Sequence, residues 1–299
     1  MPSRIQIAKP DILRFFNERP QKLYTSTDLS RVLDQQRSFW RLAVRTTVSE
    51  FIGFLLNHGL RRFAVTFPSA GQSTCYTWGD VPFMLRLQFL KPRSYYSHFT
   101  AMQRHGLTEQ SPQTIYLTQP PSGASSRGHG SLTQAAIDAA FRKPVRTSPK
   151  LAEIDGYRVH LSVGGRETGL IEQTLWDQAG EGAQLPPPTI RLTGIERTLI
   201  DAAVRPVYSG GVAEVLKAFS EAKNIPAMSV NRLRAVLKDL DFVYPYHQVV
   251  GFYLERAGYR EPQLRLFRQI PQDFDFYLTH DMGETDFVPA WRLHVPRGF

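Results

Sequence analysis

The stretch "AVRTTVSEFIGFLLNHG", residues 43–59, sets an arginine and three hydroxyl residues at the front of an apolar run. Arg45 carries a planar fork of donors that fits the edge of a guanine or a phosphate. Thr46, Thr47 and Ser49 carry short hydroxyls, and at a helix start these join unpaired backbone amides that suit phosphate oxygens. Arg41 just upstream, and Arg61 and Arg62 just downstream, add positive charge on either side. Residues of these types at this spacing point to contact with a nucleic acid. A plainer reading stands beside it: Thr47 and Glu50 have the spacing of a capping box, and arginines flanking a surface helix are often simply solvated.

A second group with chemical potential lies in the tail. "DFDFYLTHDMGETDF" clusters Asp273, Asp275, Asp281, Glu284 and Asp286, a density of carboxylates that could hold Mg²⁺ for nuclease chemistry. Asp273 and Asp275 alternate with Phe274 and Phe276, however, as in a half-exposed strand, and no lysine follows Glu284 at the spacing a restriction-type site requires. "GGRETG", residues 164–169, lacks the lysine of a phosphate loop, and no G-x-S-x-G is present. The single cysteine, Cys75, excludes a disulfide framework or a cysteine-based zinc site within one chain. The chain is therefore read as a non-enzyme, with no catalytic residue, no metal ligand and no cofactor assigned.

Local signals place the N-terminal residues on elements. Ile12, Leu13, Phe15 and Phe16 mark a short helix closed by Pro20, and Thr25 with Asp28 opens a second. Val48, Phe51, Ile52, Leu55 and Leu56 fall on one face of a third, starting at Val48, with Gly59 placed to end it. "RRFAVTF" and "STCYTW" flank "PSAGQ" as a hairpin. Helix, helix, amphipathic helix and hairpin is the order of a winged helix-turn-helix. The spacer from Asp34 to Thr46 is longer than a compact helix-turn-helix turn, and "FWRL" within it is expected to form an extra helical turn that packs Phe39 and Trp40 into the core.

Charge follows the same division. Residues 1–92 hold 13 Lys and Arg against 6 Asp and Glu, a net of +7, whereas residues 93–299 hold 23 against 21, a net of +2. A basic first third on a nearly neutral remainder suggests a polyanion-binding module joined to something else. No run of about 18 apolar residues occurs and "MPSRIQIAKP" has no apolar h-region, so neither a membrane span nor a signal peptide is expected, and the protein is placed in the cytoplasm.

Beyond residue 93, reading along the chain gives a connector over 81–93, a helix over Ser94–Leu107, a strand "TIYLTQ", a loop over Pro120–Ser131 and a helix "LTQAAIDAAFRK". Strands "YRVHLSV" and "TGLIEQT" follow, then a loop over Ala179–Pro188. Four helices beginning at "TGIERTLIDAAVRP" lead to a tail of strands, "FDFYLT" and "WRLHVP". Thr193 and Glu196 repeat the T-x-x-E spacing. Ile195, Leu199, Ile200 and Ala203 form an apolar stripe, and Arg197–Asp201 and Asp201–Arg205 are i,i+4 pairs that contribute only about 0.3–0.5 kcal/mol if exposed. His98 and His105 are seven residues apart, the wrong spacing for a single-metal pair, so both are read as core or hydrogen-bonded histidines. The fold class expected is α+β: an N-terminal winged helix-turn-helix, residues 1–92, followed by a larger mixed α/β domain, residues 93–299.

"YYSHFTAMQRHGLTEQSPQTIYLT" and "TGIERTLIDAAVRPVYSGGVAEVL" together resemble the AbiEi family of antitoxins from bacterial abortive-infection toxin–antitoxin systems, with the likeness running from about Tyr95 to the C-terminus. The resemblance implies an N-terminal winged helix-turn-helix that represses its own operon by binding inverted repeats in the promoter. It also implies a C-terminal domain that opposes a cognate toxin of nucleotidyltransferase type. The motif residues it singles out, as structural or antitoxic, are Tyr96, His98, His105, Glu196, Arg197, Asp201 and Arg205. Two alternatives from other classes remain: a DNA-binding metal-dependent nuclease using the tail carboxylates, and a ligand-sensing one-component repressor.

Overall fold

The computed structural model describes residues 3–68, 71–121, 132–148, 150–175 and 188–299. The chain divides into two compact units, residues 1–92 with 174–190, and residues 93–173 with 191–299. The mixture of twelve α-helices and three sheets among the described residues makes the protein α+β. Two stretches expected as loops, over Pro120–Ser131 and Ala179–Pro188, lie almost wholly outside the described residues.

The first unit opens with α1 (Arg4–Ile7) and α2 (Lys9–Glu18), then β1 (Leu23–Tyr24), α3 (Ser26–Gln36) and α4 (Val48–Leu56). The hairpin β2 (Leu60–Phe67) and β3 (Gly71–Trp78) follows, and α5 (Phe83–Leu90) ends the run. The strands form an antiparallel sheet in the order β1-β3-β2. Both α3 and α4 start at capping boxes. Thr25 Oγ1 accepts from the Asp28 amide at 3.1 Å while Asp28 accepts from the Thr25 amide at 2.9 Å, and Thr47 and Glu50 do the same at 3.2 and 2.8 Å. Each box satisfies two amides that a helix start would otherwise leave unpaired.

The helices converge on Phe16, Tyr24, Leu29, Leu33, Trp40, Phe51 and Leu55. Trp40 packs edge-on to Phe15 and tilted against Phe51. Its neighbour Phe39 does not join it: Phe39 is 72% exposed, contrary to the expectation for "FWRL". Residues 37–41 form turns rather than a further helical element, and Arg41 takes a left-handed φ of +50°. Residues 81–93 are likewise more than a connector. Helix α5 lies against the sheet, with Phe83 edge-on to Phe63 and the Arg86 guanidinium 4.5 Å over the Phe63 ring.

The second unit holds a mixed sheet in the order β6-β7-β5-β4-β9-β8. In chain order its elements begin with β4 (Tyr95–Tyr96), α6 (His98–Arg104), β5 (Thr114–Gln119), α7 (Gln134–Phe141), β6 (Leu151–Ile154), β7 (Tyr157–Val163), β8 (Leu170–Thr174) and β9 (Thr189–Thr193). Then come α8 (Ile195–Val204), α9 (Val212–Ala222), α10 (Val230–Leu240), α11 (Tyr246–Arg256) and α12 (Glu261–Arg268). A small sheet in the order β10-β12-β11 closes the chain, from β10 (Phe276–Tyr277), β11 (Thr285–Val288) and β12 (Leu293–Pro296).

Two readings of this region are corrected. The helix expected from Ser94 begins only at His98, because Tyr95 and Tyr96 are inner strand residues paired with Thr118 and Leu117 of β5. Helix α8 does not bury a stripe: Glu196 through Ala203 are all buried, because its whole circumference is covered.

Candidate functional site

The seven residues proposed to contact DNA are exposed or half-exposed. Thr47 is committed to capping α4, which leaves Ser49 at the start of the helix and Arg45 and Thr46 in the segment before it. That segment has a support that sequence reading missed. The Arg37 guanidinium donates from Nη1 to the carbonyl oxygens of Ala43 at 2.9 Å, Val44 at 3.3 Å and Thr46 at 3.1 Å. One cation thus gathers three acceptors and fixes the loop as a bulge whose tip, Val44, is 92% exposed. Arginine after a predicted helix is a weak sequence signal, since nothing local marks which carbonyls it will reach.

The strand arginines separate. Successive strand residues point to opposite faces. Arg62 shares its face with Leu60, Tyr76 and Trp78, the helix side of the sheet. Arg61 shares its face with Phe63, the α5 side, and lies 3.9 Å from Asp80. Arg62 therefore lies on the sheet face that packs against the helices α2–α4, and Arg61 does not.

In the second unit four of the seven motif residues, His98, Arg197, Asp201 and Arg205, line one cavity of about 560 Å³. The buried Arg197 donates from Nε to Asp201 Oδ1 at 2.7 Å, and from Nη1 to the carbonyls of Arg166 at 3.0 Å and Thr168 at 2.8 Å. This buried clamp differs from the exposed helix pair the sequence suggests, and it holds the segment after β7 against α8. Gly165 in that segment has φ +77°, and a Cβ there would sit 2.7 Å from the Tyr95 hydroxyl, so neither the conformation nor the space admits a side chain. No Asp201–Arg205 ion pair forms among the described residues. Arg205 instead donates to the Arg146 carbonyl at 2.7 Å.

His98 begins α6 with φ +50°, a left-handed backbone that costs free energy and gathers at functional positions. Its Nδ1 is 2.8 Å from Ser97 Oγ, which is 2.8 Å from Thr118 Oγ1, itself 2.8 Å from Ser162 Oγ. A line of hydroxyls thus runs from the imidazole along the cavity wall. Burial drives the His98 imidazole down to about 4, with Asp201 opposing and Arg205, Arg197 and His160 adding to the fall. The ring is neutral at pH 7. Burial, seconded by the Asp201 charge, pushes the Tyr95 hydroxyl up to about 12.

The other motif residues have structural duties. Tyr96 is fully buried in β4 and pairs with Leu192. His105 Nε2 lies 2.7 Å from the Thr193 carbonyl, as expected of a hydrogen-bonded histidine. The T-x-x-E box at Thr193 does not form. Thr193 ends β9 with its Oγ1 2.7 Å from Thr198 Oγ1, Gly194 is the N-cap, and Glu196 turns away to accept from the Ser229 amide and Arg232 Nε. In the tail, Asp275 pairs with Arg292 at 2.8 Å, Glu284 with Arg297, and Asp286 accepts from the Gly298 amide. No group of three His, Cys, Asp or Glu among the described residues is arranged to hold a metal ion. No helix among them is long and apolar enough to cross a membrane.

Neither a protein-family model nor a curated protein matches the chain. Among solved structures, the RV2827C protein from Mycobacterium tuberculosis matches over 98% of this chain and 93% of its own, with a TM-score of 0.55 and 16% sequence identity. At that identity the two share an α+β fold, and the likeness extends no further.

Proposed function

We propose that the protein is a DNA-binding repressor of its own promoter and the antitoxin of an abortive-infection toxin–antitoxin pair. In this reading the first unit works as a winged helix-turn-helix, with α4 as recognition helix and the β2–β3 ribbon as wing. One observation carries it: the loop held by Arg37 presents Val44, Arg45 and Thr46 to solvent at the start of a helix whose other flank, Phe51, Phe54 and Leu55, is locked in the core. A recognition helix needs both halves of that arrangement. The net charge of +7 over residues 1–92 supplies the long-range attraction to phosphates, and Val44 offers an apolar contact of the kind thymine methyls accept. The antitoxin half rests on the family resemblance, and its partner is a toxin of nucleotidyltransferase type.

The test is an electrophoretic mobility shift with DNA from upstream of the protein's own reading frame. Binding should weaken steeply with salt. Arg45→Ala should lose discrimination between promoter and random DNA, while Arg62→Ala weakens both about equally. No shift at low salt, or a flat salt dependence, would refute the repressor. For the antitoxin half, an Arg41→Ala/Arg45→Ala/Arg62→Ala variant should still restore growth to cells expressing the neighbouring toxin gene while no longer repressing the promoter.

A further inference from the structure

The cavity at the start of α6 and the end of α8 has a charge pattern that its structural contacts do not use up. Among the described residues four arginines line it, Arg146, Arg166, Arg197 and Arg205, and Asp201 is the one lining carboxylate. Two of the four are accounted for: Arg197 holds Asp201, and Arg166 pairs with Asp241 at 2.8 Å. Among the described residues neither Arg146 nor Arg205 has a carboxylate partner. Arg205 spends one nitrogen on a carbonyl and stands 5.9 Å from the Tyr208 ring centroid, and the Arg146 side chain makes no hydrogen bond to a described residue. The positive charge of Arg205 depresses the imidazoles of His98, His160 and His280 in addition to burial. Two guanidinium groups at one cavity wall with no carboxylate beside them offer fork-shaped donors to an anion.

The rest of the wall has the makings of a ligand site. Thr118 and Ser162 bring hydroxyls at the end of the line that starts at His98, and Tyr208 and Tyr244 bring aromatic rings. A volume of about 560 Å³ falls within the range of small-molecule pockets, roughly 300–1,000 Å³. Paired guanidinium groups favour phosphate, and aromatic faces favour a flat ring.

We propose that this cavity binds a small organic phosphate of mononucleotide size, its phosphate held by Arg146 and Arg205 and its ring set against Tyr208 and Tyr244. The site belongs to the second unit alone and does not depend on the DNA-binding reading. It would make the protein a receptor for a phosphorylated metabolite as well.

The full-length protein should be titrated calorimetrically at low salt with AMP, GMP, inorganic phosphate and adenosine. One or both nucleotides should bind saturably, inorganic phosphate more weakly, and adenosine not at all. Arg146→Gln and Arg205→Gln should each weaken nucleotide binding about tenfold or more, the effect of losing one charge-assisted contact. Arg146 is exposed, so its variant keeps the fold even if the Arg205 variant does not, and circular dichroism checks both. The proposal fails if no phosphate-bearing probe saturates, if adenosine or inorganic phosphate binds as tightly as the nucleotides, or if a folded Arg146→Gln binds like the parent.

Discussion

Two helices of this protein begin with the same four-residue pattern and use it differently. Before α4, Thr47 and Glu50 close a reciprocal capping box with the backbone. Before α8, Thr193 belongs to a strand, the helix starts after Gly194, and Glu196 reaches Ser229 and Arg232 instead. The difference lies in the surroundings. Helix α4 is exposed along one flank, so its termini are satisfied locally. Helix α8 is covered on all sides, and each polar group on it must find a partner across the unit or stay unpaired at a cost of about 1–3 kcal/mol. A motif of short range describes a helix end faithfully only where nothing of longer range competes for the same atoms.

This contrast can be pressed hardest at Asp201. Asp201→Ala leaves the Arg197 charge buried with only neutral groups beside it, two carbonyls and the Tyr95 hydroxyl, and should destabilise the second unit by about 3–5 kcal/mol. Asp28→Ala, which unpairs the exposed Arg31 in the first unit, should cost only about 1 kcal/mol, mostly through the lost cap. Urea unfolding followed by circular dichroism measures both. Equal costs would show that burial of α8 does not govern its polar contacts.

Acid offers the next test. His98 is held near 4 in the folded chain against an ordinary 6.5, and burial also lowers His105, His160, His247 and His280. All five lie in the second unit. A depressed histidine takes up its proton in the unfolded chain first, so the stability it supports is complete above about pH 6.5 and is lost as pH falls towards 4. For His98 alone the loss approaches ~3 kcal/mol. Thermal melts between pH 7.5 and 4.5 should show this fall, and His98→Gln should flatten its slope. A slope unchanged in that variant would remove His98 from the cause.

Smaller effects separate the two T-x-x-E sites themselves. Thr47→Ala should cost about 1 kcal/mol by removing a cap. Glu196→Ala should cost about 1–3 kcal/mol by stranding the Ser229 amide, and Thr47→Ser should be close to neutral. Smallest of all, Arg41→Ala, Arg45→Ala and Arg62→Ala should each change stability by no more than about 0.5 kcal/mol, since their side chains are exposed and no described residue pairs with them. Chemical denaturation of each variant settles this, and a larger loss at Arg45 would mean that it supports the loop as Arg37 does.

Much of the first unit was legible along the chain, because its signals are local. Both capping boxes stand where side-chain spacing puts them, and the hairpin falls on the two β-rich runs, its second strand starting at Gly71, two residues earlier than read. On α4 Phe51 and Leu55 are buried as expected, but Phe54 is buried and Leu56, expected on the same face, is 40% exposed. The errors there came from packing: Phe39 and Trp40 are both large aromatics, and within the turns over 37–41 Trp40 packs on Phe15 and Phe51 while Phe39 is left to solvent. Helix α5 is apolar nearly all round and gave no periodic signal to read.

Less of the second unit was legible. Tyr95–Tyr96 carries no mark that would separate an inner strand from the helix after it, since two residues are too few for a period, and α12 went unread between clearer neighbours. The motif residues were visible as types and spacings, but their convergence on one cavity was not. Gly164, Gly165, Arg146 and Tyr208 join His98 and Arg205 there from segments up to about a hundred residues apart.

Composition and periodicity by themselves determined that the chain has a basic N-terminal third, an amphipathic helix fronted by arginine and hydroxyls, and a larger α+β remainder. These properties depend on residues within a turn or two of one another. Which arginines keep their charge unpartnered, which face of the sheet Arg62 takes, and whether Glu196 caps a helix or ties two together were decided by tertiary structure. Burial removes water as a partner, so each buried polar group is assigned by whichever distant atom the fold brings within reach.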